Sequence, residues 1–170
     1  ANPPAIGIKF LSHQMEVFAH FSNSGGTIGD PNTAPAYWGF MNAMWGSSGI
    51  PFTQGGNGSQ GTVSTNYIYS DNPLNQNGWS EVTESNPPTD KRMVGTTSGS
   101  TISPNEFICY DFAILYNRIS GDAFENASGL YSLADQVQPF FSSQNFNCQS
   151  VTLGNSEPKI IKEELKIYPN

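Results

Sequence analysis

The chain has 170 residues and a mass of 18.4 kDa; 36% of residues are hydrophobic, 12% aromatic and 12% charged. That length suits one domain with a core of its own, and the charged fraction is about half the ~25% of an ordinary globular protein. Seven Lys and Arg against fourteen Asp and Glu leave a net charge of −7, which argues against a nucleic-acid binder or an anionic-membrane binder, and no apolar run approaches the ~20 residues of a membrane-spanning helix. Ser, Thr, Asn and Gly fill the gap left by the charges, so the surface is polar without being ionic, as in extracellular strand-rich proteins.

Residues 6–11 and 16–23 read as short strands. In the second, Val17, Ala19 and Phe21 point to one side and Phe18 and His20 to the other. Turn residues follow around Gly25-Gly26 and Asp30-Pro31. Residues 34–45 then change period: Tyr37, Phe40, Met41, Met44 and Trp45 have helical spacing, Thr33 is an N-cap and Pro35 lies near the first turn. On that helix Trp38 and Trp45 roughly share a face. A glycine-rich loop covers 47–61, residues 62–70 alternate as a strand, and 92–94 form another short one. Residues 106–119 give the strongest strand, apolar on both faces, which predicts a central place in a sheet. Residues 122–141 form a second helix with Phe124, Ala127, Leu130, Tyr131, Ala134, Val137 and Phe141 in one stripe, and Pro139 is expected to kink or end it. The expected fold is α+β, mainly antiparallel β-sheet and sandwich-like, with two packed helices.

Residues 157–168 hold three of the five lysines and three glutamates, in contrast to the charge-poor body. The expected organisation is a β-rich module over 1–156, then a linker and the start of a truncated further domain over 157–170.

The ending Leu165-Lys166-Ile167-Tyr168-Pro169-Asn170 resembles the opening of the C-terminal sorting domain of type IX secretion cargo proteins of Bacteroidota. In the body, Asp30-Pro31, Ala36-Tyr37-Trp38-Gly39-Phe40-Met41, Trp45, the run from Pro51-Phe52 to Gly58, Gly78-Trp79-Ser80-Glu81 and Asp90-Lys91-Arg92 occur in an order similar to a module of large secreted proteins of the same bacteria. Ser48 and Lys91 depart from that pattern, where Asp and Arg are usual. The resemblance implies export by the type IX secretion machinery and a secreted or outer-membrane-surface location; it implies no activity.

Catalytic signals are weak. His13 and His20 stand outside any metal-ligand spacing, and no nucleophile elbow surrounds a serine. Glu81 and Glu84 beside Trp79 are the carboxylates a glycoside hydrolase would use, but Glu81 is better read as pairing with Lys91 or Arg92. No catalytic residue is assigned. No cofactor is required; the one the loops allow is a weak calcium ion on Asp30, Asn32 and Asp71, with Asn72, Asn75 and Asn77 as further oxygen donors, although such residues also cap their own turns. Trp38, Tyr69 and Trp79 would make a sugar-stacking platform if exposed together. Cys109 and Cys148 are either one disulfide, closing a loop of about 40 residues, or two buried thiols. The expected function is a non-catalytic extracellular or cell-surface module for adhesion or structure, with a polysaccharide or surface protein as partner. The alternative is a carbohydrate-binding module, and a hydrolase comes third.

Overall fold

The computed structural model describes residues 3–144. Its elements run β1 (Ala5–Phe10), β2 (Met15–Ser22), α1 (Ala34–Met41), β3 (Met44–Trp45), β4 (Ile50–Pro51), β5 (Lys91–Thr97), β6 (Phe112–Asn117) and α2 (Ala123–Ser143). The class is α+β. The strands form antiparallel two-stranded sheets, β1 with β6, β2 with β5 and β3 with β4, where a sandwich was expected.

The main core lies on one side of β2. Val17, Ala19 and Phe21 are buried there, as the alternation predicts, and Phe40, Trp45, Phe52 and Ile68 close over them. The rings interlock: Phe40 meets Phe21 and Trp45 edge-on at centroid distances of 5.0 and 5.5 Å, and Trp45 meets Phe52 at 4.7 Å. Such pairings add to the area that burial removes from water. The buried Trp45 indole N–H donates to the Gly58 carbonyl at 2.8 Å, so its one polar atom is satisfied.

Helix α1 begins as predicted, with the Thr33 side chain accepting from the Ala36 N–H and a proline in the first turn. It ends four residues earlier than predicted. Asn42 caps it, Ala43 adopts φ +55°, and Met44–Trp45 turn back to pair with Ile50–Pro51. Trp38 and Trp45 therefore do not share a helix face: Trp38 is exposed and Trp45 fully buried. Gly39 permits this return, because a Cβ there would overlap the Gly46 carbonyl oxygen.

Two further predictions are corrected. Residues 62–70 are not a strand: they carry two isolated bridges, Thr53 to Ser64 and Phe18 to Tyr67. The Thr65 hydroxyl takes the Tyr67 N–H, and Tyr69 sits at φ +56°, outside β geometry. The strand expected over 106–119 is confined to β6. Upstream of it the backbone bonds side chains instead, Ser103 N–H to Glu106 and Asp111 N–H to Ser12, and among the described residues β6 pairs with β1 alone rather than lying central in a sheet.

The β1–β6 ribbon is covered on one face by α2. Leu130 of the helix packs over Gly7, and Asn126, fully buried, donates to the Pro3 and Asp122 carbonyls and accepts from the Ile119 N–H. The helix opens on a reciprocal capping box between Asp122 and Glu125 and continues through Pro139 to Ser143. Its expected stripe mostly faces the ribbon, with Phe124 and Tyr131 left exposed at its borders. In the pairing register, Ile6 faces Tyr116, Ile8 faces Ile114 and Phe10 faces Phe112. These residues alternate with the helix-facing set and fill the opposite face. Five of them stay exposed: Ile6 at 65%, Ile8 at 51%, Phe112 at 59%, Ile114 at 70% and Tyr116 at 56%. No helix among the described residues is long and apolar enough to cross a membrane.

Candidate functional site

At the C-terminal end of β2, His20 lines a cavity of about 170 Å³ that also reaches the edges of the core residues Phe21 and Trp45. Three segments bring polar groups to it. β2 supplies His20, the 62–90 loops supply Tyr69, Glu81 and Asn86, and β5 supplies Lys91 at the position opposite Ser22. Glu81 ion-pairs with Lys91 and lies 3.6 Å from His20 Nε2. Of the two pairings read for Glu81, the Lys91 one is thus present. Tyr69 meets His20 edge-on at 5.2 Å and packs on Trp79 at 5.4 Å, while its hydroxyl accepts from the Asn86 amide at 2.6 Å. That leaves the Tyr69 O–H proton free to donate elsewhere. Phe21, Ile28, Trp45 and Pro87 form apolar wall.

Burial is the main force on both titratable rings. It pushes His20 below its ordinary 6.5 despite the nearby Glu81 carboxylate, and Lys91 pushes the same way. Burial also raises Tyr69, with the Glu81 charge adding to it. Near neutral pH the cavity therefore presents a neutral imidazole, a protonated phenol and an internally compensated ion pair. A His20 pKa below that of the unfolded chain means that the unfolded chain binds more protons in that window. Stability is then full above pH 6.5 and declines as the pH falls from there through the folded-state pKa. His20→Gln is expected to flatten this part of a melting-temperature-versus-pH curve. An unchanged slope between pH 6.5 and 5 would contradict it.

The predicted site residues are dispersed. Trp38 is exposed on α1, and among the described residues no ring contact joins it to Tyr69 or Trp79. Tyr69 and Trp79 are half-buried against the core, and the Trp79 indole N–H donates to the Gly56 carbonyl at 3.1 Å. These three do not form one stacking platform. Glu81 borders the cavity, whereas Glu84 is exposed and outside its lining.

The oxygen donors named for calcium already serve the fold. Asp30 ion-pairs with Arg92, and Asp71 accepts the Trp79 N–H at 2.7 Å. Asn72 and Asn75 bond the backbone two residues on, and Asn32 lies exposed in the turn before α1. Among the described residues no group of three or more His, Cys, Asp or Glu converges on one point. Thermal unfolding in calcium and in chelator tests the calcium reading: a calcium-dependent rise of several degrees would support it, and equal temperatures would contradict it. Cys109 is disulfide-bonded, and Cys148 lies outside the described residues.

Sequence reasoning named Tyr69 and, as a pair, Glu81 and Lys91, but it did not place His20 or Asn86 beside them. The signal for His20 was its place in the β2 alternation, on the side away from Val17, Ala19 and Phe21. Asn86 gave no comparable signal. Some of the residues quoted for the resemblance bond near this cavity, while Tyr37, Trp38 and Met41 lie exposed on α1. Trp45 and Trp79 clamp the glycine loop through Gly58 and Gly56, Lys91 holds Glu81, and Arg92 holds Asp30 and Asp90. Compared with protein-family models, curated proteins and solved structures, the chain finds no match.

Proposed function

We propose that this chain is a non-catalytic adhesion or structural module of an extracellular or cell-surface protein, exported as type IX secretion cargo. The observation that carries the reading is the uncovered face of the β1–β6 ribbon. Five large apolar side chains without a charge among them stand more than half exposed there. At roughly 200 Å² per residue they present on the order of 600 Å², the upper end of what a monomer leaves exposed and close to one side of a standard protein interface. Such a face offers area and little polar recognition, so the partner it suits is a protein with an apolar surface of its own.

Two further observations support the reading. Glu81 lines the cavity tied to Lys91 and Glu84 lies outside that lining, so the two carboxylates named for glycoside hydrolysis do not meet there. The disulfide at Cys109 suits an oxidising compartment. The test of location is protease treatment of intact Bacteroidota cells that make the precursor, with and without working type IX machinery. The module is expected to be shaved from, or released by, cells with the machinery and to stay inside cells without it. Retention inside both would overturn the export reading.

A further inference from the structure

We propose that the cavity beneath His20 is a binding site for one neutral, hydroxyl-rich six-membered ring, a single hexopyranose. Size is the first argument. The cavity opens to solvent and, at about 170 Å³, is little larger than the ~150 Å³ that takes a benzene ring, so it seats one edge of a single pyranose, the remaining hydroxyls facing water, and not a chain of rings. The second argument is the chemistry of the walls. Ile28 and Pro87 offer apolar surface to the C–H face of a pyranose, above the buried edges of Phe21 and Trp45. Around them the polar groups are mixed: the Glu81 carboxylate accepts, Lys91 and the Tyr69 hydroxyl donate, and His20 and Asn86 can do both. Sugar hydroxyls donate and accept together, so a mixed ring of partners satisfies them where a one-sided ring would not.

Charge narrows the class. Glu81 and Lys91 compensate one another, so the cavity asks for no net charge. A phosphate would face the Glu81 carboxylate, and a zwitterion would have to part the ion pair. The third argument is the backbone at Tyr69. A tyrosine at φ +56° is an uncommon, costly conformation, and here it swings the ring onto His20 and the hydroxyl onto Asn86. This site is separate from the β1–β6 face and does not depend on the docking role.

The test is an NMR titration of the ¹⁵N-labelled full chain with glucose, galactose, mannose and N-acetylglucosamine, read at the indole N–H groups. Trp45 borders the cavity, and exposed Trp38 serves as the distant reference. At least one sugar is expected to shift Trp45 saturably with a Kd on the order of 1 mM and to leave Trp38 in place. Glu81→Gln is expected to weaken it about tenfold, while Trp38→Ala and Ile114→Lys leave it unchanged. Asn86→Ala serves as the second variant should Glu81→Gln not fold. No saturable shift with any of the four sugars overturns the proposal. So does a saturable shift at Trp38 with none at Trp45, which would move sugar binding to α1. Tighter binding of glycine or inorganic phosphate at Trp45 would overturn the ligand class.

Discussion

Trp45→Ala is expected to destabilise the protein by about 3–5 kcal/mol, the cost of an aromatic-to-alanine truncation where the site cannot collapse. The indole is 1% exposed and touches Phe40 and Phe52, and its N–H is the partner of the Gly58 carbonyl. Removing it opens a void and takes a hydrogen bond from the buried Gly58 of the glycine loop. That loop cannot move in to fill the space by gaining a side chain. Gly58 sits at φ +89°, and a Cβ there would collide with Ile68. Denaturant unfolding measures the loss, and a change below 1 kcal/mol would mean that the core is not centred on this residue.

Asn126→Leu is expected to cost about 3 kcal/mol, although it replaces an amide with an apolar side chain of similar volume. The amide nitrogen donates to the Pro3 and Asp122 carbonyls at 3.0 and 2.9 Å, and its oxygen accepts the Ile119 N–H at 2.6 Å. All of these surround a side chain with no exposure. A leucine makes none of these three part-buried hydrogen bonds, each a net contribution of about 1 kcal/mol. One side chain thus joins the start of β1, the end of β6 and the cap of α2. Hydrogen exchange should report the loss first at β1 and β6 and last at the ring cluster around Phe40. A uniform loss would indicate that the ribbon and the main core unfold as one.

Local physics was legible in the sequence wherever one residue type had one thing to do. The period of β2 fixed which of its side chains entered the core. Thr33 caps α1 and Asp122 opens α2 at the predicted starts, and Lys91 is one of the two partners, with Arg92, that the sequence offers Glu81. Failures came where tertiary contacts overrode period. Met44 and Trp45 continue the helical spacing of α1, yet Ala43 at positive φ and the gap left by Gly39 let the chain fold back. Residues 62–70 alternate like a strand, but their hydroxyls and Tyr69 bond and turn locally. Of the candidate site, single residues were visible but their meeting was not, because His20, Tyr69, Asn86 and Lys91 are brought together by loops whose path no periodicity encodes.

The β1–β6 ribbon is the most informative mismatch. Residues apolar on both faces predict burial on both, and α2 covers one. An uncovered apolar face costs solubility unless something meets it, which is why the proposed role rests on that face and not on the exposed Trp38.

The most direct measurement is retention of the labelled chain on the outer surface of intact cells of the producing bacterium, compared with Ile114→Lys. Ile114 is 70% exposed, so the substitution should leave folding intact while placing a charge in the middle of the face. The account predicts that the wild-type chain is retained, that prior protease shaving of the cells abolishes retention, and that Ile114→Lys reduces it at least tenfold. Equal retention of the two chains would contradict docking through this face.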